Sequence, residues 1–350
     1  MLGRELSLEE LATGASPLEL NPVGRPEAAL AYVNLDRLPR DPDPVMLASS
    51  VATLERGHVP VIGLSTRPLT AGGRTLAVAM DVTLVTADGR DVPETCVALG
   101  DVDAGLDVLE TSSSGRAKAA AVLCQTVRVT SGLPVHLGLV VESMAYSMLL
   151  ASEEFQEWRS TTPRRRRPAA EDPVRLSRDG SALRMVLDDP DRRNAYSRHM
   201  RDGLVEGLDL AAWDDSIRHV SLSGAGPSFC SGGDLDEFGT VDDVSVAHLI
   251  RLRQGAGAAL ERVRERVTVD VHGACIGAGI EIPAFASSLV AHPATTFRLP
   301  ELAMGLIPGA GGTVSITRRI GRWRTAWLAL TGEAIDVNDA LGWGLIDGIA

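Results

Sequence analysis

Short apolar segments alternate with longer amphipathic segments along the second half of the chain. The apolar segments are rich in β-branched residues and end near glycine or aspartate, which is typical of buried strands. The segments between them repeat their apolar residues at helical spacing. Strands that alternate with helices of this length predict βαβ units and an α/β fold. The predicted strands are 183–189, 219–224 and 269–274, and the predicted helices are 200–213, 241–266 and 313–331.

The first half repeats this alternation more weakly. Its predicted strands cover 30–36, 58–65 and 77–86, and its predicted helices cover 115–130 and 138–158. The last of these helices carries apolar side chains three or four residues apart, which places them on one face. We expect this face to pack against a partner, either in the same chain or in a neighbouring one. Its members are Val141, Met144, Met148, Ala151, Phe155 and Trp158.

A boundary between the two halves lies in residues 159–173, RSTTPRRRRPAAEDP. Three prolines, four consecutive arginines and no apolar periodicity do not make a regular buried element. A length of 350 residues also favours two domains. We therefore assign residues 1–162 to a first domain, 163–172 to a linker and 173–350 to a second domain. The arginine run 164–167 is interpreted as part of a solvated linker rather than as a phosphate site.

Composition and charge narrow the functional classes. Apolar residues make up 45% of the chain, and its 35 glycines and 19 prolines follow no repeat, which excludes disordered and collagen-like proteins. The formal net charge of −12 argues against nucleic acid as a partner, because binding to a phosphate backbone requires a basic face. Lys118 is the single lysine among the 34 basic side chains, so any phosphate group must be bound by arginine.

Cysteine spacing and the apolar segments predict the environment of the protein. The four cysteines lie far apart and show no metal-ligand spacing, so we expect neither a disulfide framework nor a metal site. Free cysteines and an acidic N-terminus without a signal sequence favour a cytoplasmic location. The most apolar segment, 267–291, contains His272, Glu281 and Pro283, which argues against a membrane span and against a membrane as partner.

Three glycine-rich segments of the second half combine free backbone amides with carboxylates. GAGPSFCSGGDL (224–235) and HGACIGAGIE (272–281) each follow a predicted strand, so their amides are available to bind an anion or oxyanion. LPELAMGLIPGAGGT (299–313) places Glu301 among apolar residues, where poor solvation should raise the pKa of its carboxyl. Together with Glu281, these groups suit a thioester enolate that is held by amides while carboxylates move protons.

These segments, with two others, resemble the crotonase superfamily, the enoyl-CoA hydratase/isomerase family. The resemblance implies a crotonase-like core, a spiral of ββα units, over the second half of the chain. It also implies an acyl-CoA substrate and no separate cofactor, because coenzyme A is part of that substrate. The motifs that carry the resemblance are LDDPDRRNAYS (187–197), SLSGAGPSFCSGGDL (221–235), VHGACIGAGIEI (271–282), FRLPELAMGLIPGAGGT (297–313) and LTGEAIDVNDALGWGLID (330–347).

The resemblance also implies a role for each site residue. It assigns the oxyanion hole to the backbone N–H groups of Ser231 and Ala278, and the two catalytic carboxylates to Glu281 and Glu301. The residues implied to contact the substrate and its coenzyme A are Arg192, Arg193, Gly232, Gly233, Gly277 and Gly279. No metal site is implied.

The glutamate pair favours one reaction over its relatives. Hydration of a 2-enoyl thioester requires one group that activates water and one that protonates Cα, and two glutamates provide both. An isomerase requires a single base, for which Glu301 is the better candidate. The alternatives are therefore an isomerase, a thioester hydrolase and a non-catalytic acyl-CoA-binding scaffold. By resemblance, we also expect a homo-oligomer, a trimer or a hexamer.

The first half resembles a shortened, degenerate crotonase-like α/β unit. Family members continue beyond the segment that ends here at Ala350, and residues 138–168 resemble that missing ending. Residues 60–81 resemble the second amide segment, with Thr75 at the position of Glu281, although an alternative register aligns 30–73 with the region before the first amide segment. In either register the unit lacks the catalytic pair. We predict that it supplies closing helices to the catalytic segment.

Overall fold

The computed structural model describes residues 3–14, 19–22, 24–87, 92–165 and 170–350. Two of the four consecutive arginines, 166 and 167, lie outside the described residues, so the interpretation of the whole run remains a prediction. Short single turns of 3-10 helix are given below by their residue ranges only.

A parallel five-stranded sheet organises the first half, with its strands in sequence order. Strand β3 is central and entirely buried, because its sequence VIGLS is apolar or small at every position. The strands are β1 (Arg4–Glu5), β2 (Ala31–Asn34), β3 (Val61–Ser65), β4 (Val82–Thr86) and β5 (Val97–Leu99). The helices are α1 (Leu8–Ala12), α2 (Pro44–Glu55), α3 (Ala71–Ala79) and α4 (Val102–Ser113).

The strand predicted over 77–86 is therefore only partly correct. Helix α3 continues to Ala79. Its start is capped by Thr70, whose side-chain oxygen accepts a hydrogen bond from the Gly73 amide. Strand β4 begins at Val82. Helices α2 and α4 were not predicted, although Asp43 and Asp101 cap them in the usual way.

Three further helices, α5 (Ala117–Thr130), α6 (Val135–Leu150) and α7 (Glu153–Thr161), complete the first half. The single helix predicted over 138–158 is wrong, and only part of its predicted apolar face packs within the chain. The helix ends at Leu150, and a new helix starts where Ser152 caps the Phe155 amide. In addition, Met144 and Met148 are 51% and 57% exposed, whereas the buried face of α6 includes Glu142 and Ser143.

The second half forms a spiral of strands and helices around two sheets. The larger sheet has the order β14-β11-β9-β8-β7-β6, with only the β6–β7 hairpin antiparallel, and the smaller sheet has the order β10-β12-β13. The strands are β6 (Val174–Asp179), β7 (Ala182–Leu187), β8 (His219–Gly224), β9 (Val267–Val271), β10 (Ala274–Ile276), β11 (Ser288–Ala291), β12 (Thr296–Arg298), β13 (Ile335–Asp336) and β14 (Gly348–Ile349). The helices are α8 (Arg198–Trp213), α9 (Val244–Gln254), α10 (Ala256–Val263), α11 (Ala278–Glu281), α12 (Gly312–Thr331) and α13 (Val337–Trp343).

Helices of the first half pack directly on the second half of the same chain. One apolar core contains Leu123 of α5 and Phe155 of α7 together with Val314 and Leu328 of α12. The Thr130 hydroxyl also donates to the Thr313 carbonyl at 2.7 Å. The two halves of the chain thus share one core through α5, α6 and α7.

The length and hydropathy of a helix decide whether it can span a membrane. Over the described residues, no single helix is long and apolar enough to cross a membrane, whereas α6 and α7 taken together pass by length and composition, with a bend of 62° between them.

Candidate active site

The loop after strand β8 is fixed by a buried asparagine. Asn194 adopts a left-handed conformation with φ of 54° and has no exposed surface. Its side-chain amide donates to the carbonyls of Ala225 and Ser228 at 2.9 and 3.0 Å, and its side-chain oxygen accepts from the Asp189 amide. Because these bonds are local and buried, they fix the path of the first amide segment.

The first amide segment presents a different N–H group from the one predicted. The Ser231 amide donates to the Arg193 carbonyl at 3.0 Å, so it is already bonded within the chain. Gly233, two residues later, lines the large cavity described below, and within the described residues its N–H has no protein acceptor. The assignment of the oxyanion hole to Ser231 is therefore wrong, and the geometry favours the Gly233 amide.

The second amide segment begins helix α11 at Ala278. Gly277 has φ of 51° and ψ of −120°, a conformation that strongly favours glycine. Its own amide donates to the Arg298 carbonyl at 2.9 Å. The Ala278 amide, as the first in the helix, has no acceptor within that helix, and Ala278 lines the same cavity as Gly233. The structure therefore brings Ala278 to the predicted place.

Two of the predicted substrate-contacting glycines instead let the amide segments approach each other. A Cβ atom at Gly279 would lie 2.3 Å from the Cys230 carbonyl oxygen, and one at Gly232 would lie 3.0 Å from the Ile276 carbonyl oxygen. Cys230 and Cys275 pair as an isolated β-bridge between the same two segments. Gly232 and Gly279 therefore set the spacing of the site by close packing of the backbone.

Glu281 ends helix α11 and is 2% exposed. Its Oε2 atom accepts hydrogen bonds from the amides of Ala310 at 2.7 Å and Gly312 at 2.9 Å. Burial nevertheless raises the pKa of its carboxyl to about 7. A carboxyl with this pKa can accept a proton near neutral pH, which suits a general base.

Glu301 follows Pro300 in a short 3-10 turn, Glu301–Met304, and is 7% exposed. Its Oε2 atom is buried and has no hydrogen-bond partner in the part of the chain that the structure describes. Burial, and then the nearby charge of Glu281, raise the pKa of Glu301 well above its ordinary value. A Cβ atom at Gly277 would lie 2.4 Å from Glu301 Oε1, so a larger residue there would displace this carboxyl from its present position.

A third buried carboxylate, Glu142 on helix α6, was missed by the sequence analysis. It accepts hydrogen bonds from the amides of Gly311 at 2.8 Å and Thr313 at 2.9 Å, and from the Thr313 hydroxyl at 2.7 Å. Burial, and then the charge of Glu281, raise its pKa to about 8. The sequence did contain an indication of this carboxylate. Glu142 is the single acidic residue in the largely apolar segment GLVVESMAY (138–146), just as Glu301 lies in an apolar loop.

The two predicted coenzyme A arginines occupy different environments. The Arg192 side chain is 8% exposed and lies 2.5 Å from Asp234 and 4.0 Å from Asp189, so a direct contact with coenzyme A is wrong for this residue. Arg193 is exposed and has φ of 55°, and its carbonyl receives the Ser231 amide. Its contact with coenzyme A stays a prediction.

All the groups with acid, base or oxyanion-binding chemistry meet in one cavity of about 880 Å³. Both amides and all three carboxylates line it, and α6 supplies part of its wall. Arg253 and Arg262 also line the cavity, and both are exposed to solvent, where their guanidinium groups can be reached by a phosphate group. Among the described residues, no group of three or more His, Cys, Asp or Glu side chains could hold a metal ion. The cavity therefore places three carboxyls that can exchange protons beside two free backbone amides.

Comparison with known proteins assigns this site to a family. Residues 177–350 match the model of the enoyl-CoA hydratase/isomerase family. The probable enoyl-CoA hydratase EchA14 of Mycobacterium tuberculosis is 34% identical over 175 residues, 50% of this chain and 68% of the relative. The 2,3-dehydroadipyl-CoA hydratase of Escherichia coli is 32% identical over 174 residues, again 50% of this chain and 68% of the relative. An enoyl-CoA hydratase structure from Mycobacterium smegmatis shares 28% identity over 51% of this chain and 70% of its own, with a TM-score of 0.48.

The chain belongs to the enoyl-CoA hydratase/isomerase family, as its sequence motifs predicted. It is an enzyme of the hydratase/isomerase type, and its α/β core has the crotonase fold. The matched residues lie wholly in the second half of the chain, whereas Glu142 lies outside them.

Proposed function

We propose that this protein adds water to a 2-enoyl-CoA thioester, or removes water in the reverse direction. The observation that carries the proposal is the presence of both Glu281 and Glu301 in the cavity that also contains the amides of Gly233 and Ala278. The family match and the two relatives named as hydratases support it.

The thioester oxygen would be held by the Gly233 and Ala278 amides. Negative charge develops on this oxygen when a nucleophile attacks C3 of the enoyl group, so donors fixed in advance stabilise the transition state. Each such donor contributes about 3–4 kcal/mol in comparable sites. Glu281 accepts a proton from the water as its oxygen bonds to C3, which moves the electron pair of the C2–C3 double bond into the enolate.

Glu301 would then complete the addition by giving its proton to C2. Its raised pKa supports this role, because a carboxyl must hold its proton at neutral pH to act as the acid. After the step Glu281 is protonated and Glu301 is not, and proton exchange between them or with solvent restores the starting state. Every step is a proton transfer or a carbon–oxygen bond change, so we propose no cofactor beyond the coenzyme A of the substrate.

The direct experiment is a hydration assay with the purified chain and its single glutamine variants. Glu281→Gln and Glu301→Gln should each lower kcat about 10²–10⁴-fold, because each removes an acid or base. Activity that survives in Glu281→Gln and disappears only in Glu301→Gln would indicate an isomerase instead. Binding of acyl-CoA without turnover by the unmodified chain would indicate a scaffold, and release of free coenzyme A would indicate a hydrolase.

We propose that the protein forms a homo-oligomer through the exposed face of α6. This face includes Leu137, Met144 and Met148, which are 44%, 51% and 57% exposed. Three large apolar side chains on one helix face are a common feature of protein contact surfaces. Sedimentation analysis of the full chain should give a mass above that of the monomer, and Met144→Glu with Met148→Glu should reduce it.

A further inference from the structure

The side chain of Arg251 lines the cavity, and its guanidinium group has no carboxylate partner among the described residues. It lies near the end of α9 and lines the cavity with Glu281 and Glu301. Its Nε and Nη2 atoms donate to Ser143 Oγ at 3.1 Å, to the Ser143 carbonyl at 3.3 Å and to Ser147 Oγ. These partners are neutral, and no carboxylate of the described residues lies within 4.0 Å of its nitrogens.

The other arginines around the cavity differ in this respect. Arg201 is paired with Asp202 at 2.7 Å, Arg262 is paired with Asp209, and Arg253 is exposed to solvent. Arg251 is only partly exposed, and burial lowers its pKa. Because a desolvated cation without a counter-ion is unfavourable, an anionic ligand would be strongly preferred beside it.

Arg251 contacts the wall of the cavity through the aromatic ring of Tyr146. Its guanidinium stacks over the ring of Tyr146, 4.8 Å from the ring centroid. Tyr146 in turn packs against Gly309, where a Cβ atom would lie 2.4 Å from the ring. Gly309 immediately precedes Ala310, whose amide holds Glu281. Arg251 is therefore connected to the loop that holds Glu281 through one intervening side chain, Tyr146, and it lines the same cavity.

We propose that Arg251 binds a carboxylate at the far end of the acyl group, so that the preferred substrates are CoA thioesters of unsaturated dicarboxylic acids. The proposal rests on the proposed function, because it places C3 of the substrate beside Glu281. A guanidinium presents parallel N–H groups that match a carboxylate, and such charge-assisted pairs are strong in a partly desolvated cavity. Glu142 is the one carboxylate among the described residues whose charge acts on the pKa of Arg251, and burial raises the pKa of Glu142 to about 8, so it is largely protonated at pH 7.

The experiment compares matched substrates on the full-length protein. Hydration of 2-hexenedioyl-CoA and 2-octenedioyl-CoA is measured beside 2-hexenoyl-CoA and 2-octenoyl-CoA, which lack the terminal carboxylate. The unmodified protein should prefer one of the dicarboxylic substrates by about 10- to 100-fold in kcat/KM, because a hydrogen bond to a charged group contributes about that much. A preference for the neutral acyl chains at both lengths would overturn the proposal.

Two variants distinguish recognition of the substrate from a structural clamp between α6 and α9. Arg251→Met should abolish the preference while leaving hydration of the neutral chain within a few-fold, and Arg251→Lys should keep part of it. Arg262→Met is the matched control, because Arg262 lines the same cavity but already has Asp209 as partner, so it should change both substrate types by the same factor. Equal losses on both types in Arg251→Met would contradict the proposal and support a clamp or a phosphate contact.

Measurements of ligand binding distinguish a failure of the Arg251 proposal from a failure of the proposed hydratase function. If the unmodified protein hydrates none of the four thioesters, the hydratase proposal fails. The recognition proposal is then tested by calorimetry with saturated hexanedioyl-CoA, hexanoyl-CoA and free coenzyme A. Tighter binding of the dicarboxylic thioester, lost in Arg251→Met, supports it, and equal binding of the two thioesters overturns it.

Discussion

Glu142 and Glu281 divide four consecutive backbone amides between them. Glu281 accepts from Ala310 and Gly312, and Glu142 accepts from Gly311 and Thr313, at distances of 2.7 to 2.9 Å. These amides begin helix α12, where free N–H groups and the helix dipole favour negative charge. One of the two carboxylates comes from the matched family segment and the other from the first half of the chain. The position of Glu281, the proposed base, therefore depends on both halves.

Glu142→Gln should change the pH dependence of catalysis. The pKa of Glu281 is about 7 and that of Glu142 about 8, and the two charges repel, so the pair titrates together. A base must be deprotonated, so kcat/KM should fall as the pH decreases through about 7. Glu142 becomes charged as the pH rises through about 8, and this second charge opposes the negative charge of the enolate, so kcat/KM of the unmodified protein should fall there. Glu142→Gln should remove this fall and keep the limb near pH 7, with a lower kcat because the two carboxylate oxygens that hold the Gly311 and Thr313 amides are no longer both present.

Glu154→Gln is the matched control for that prediction. Glu154 also accepts two amides at a helix start, those of Lys118 and Ala119, at 2.9 and 3.0 Å, but it does not line the cavity. A merely structural role for Glu142 predicts that both variants lower stability and that neither changes the pH profile of kcat/KM near pH 8. An unchanged pH profile in Glu142→Gln would contradict the account of Glu142 as a positioning residue.

Ala278→Pro should remove one oxyanion donor with little change to the backbone. Ala278 is the first residue of α11, a position at which proline is tolerated because its amide is outside the helical bonding pattern. We expect kcat to fall about 10²–10³-fold, the usual effect of losing one such donor. Stopped assays should show KM within a few-fold of the unmodified protein, and circular dichroism should confirm an intact fold. Full activity would exclude the Ala278 amide from the oxyanion hole.

Residues 170–350 expressed alone should be insoluble or inactive. Leu123 and Phe155 of the first half lie in the same core as Val314, and α6 provides both Glu142 and part of the cavity wall. Helices of this length are stabilised mainly by such packing. Co-expression with residues 1–165 should restore soluble, active protein. A soluble and active isolated second half would make the first half an independent module.

Asp81→Asn should destabilise the fold without acting on the reaction. Asp81 is 3% exposed in its side chain, pairs with Arg128 at 2.7 Å, and accepts the Val61 amide at 2.9 Å. Breaking a buried pair from one side costs about 3–5 kcal/mol of unfolding free energy. The exposed pair of Arg37 and Glu5 is the control, since Glu5→Gln should change stability by no more than about 1 kcal/mol. Urea unfolding of both variants measures the difference.

Local patterns located three of the nine strands that the structure describes in the second half, together with its long helices. Strand β8 covers the predicted residues 219–224, and the helix predicted at 313–331 is observed as Gly312–Thr331. The helix predicted over 241–266 is instead divided at Gly255, whose backbone is extended. Alternation and helical spacing act within a short window, so they locate elements better than their exact ends.

The misassigned residues depended on contacts that sequence spacing does not contain. Ser231 and Gly233 both lie in the same glycine-rich turn, and only the bond from Ser231 to the Arg193 carbonyl distinguishes their amides. Arg192 was assigned to a contact with coenzyme A, but it pairs instead with Asp234, 42 residues later. The buried face of helix α6 carries polar residues because it lines the cavity that contains the buried carboxylates. In each case a long-range partner overrode the local pattern.

The most direct test of the account follows solvent atoms into the product. The purified chain is incubated with a 2-enoyl-CoA in water enriched in ¹⁸O and, separately, in deuterium oxide, and the product is analysed by mass spectrometry and NMR. Hydration predicts a 3-hydroxyacyl-CoA that carries solvent oxygen at C3 and solvent deuterium at C2, and Glu281→Gln and Glu301→Gln should each form much less of this labelled product in the same time. Deuterium in an unsaturated product, with no solvent oxygen at C3, would contradict hydration and identify a double-bond isomerase.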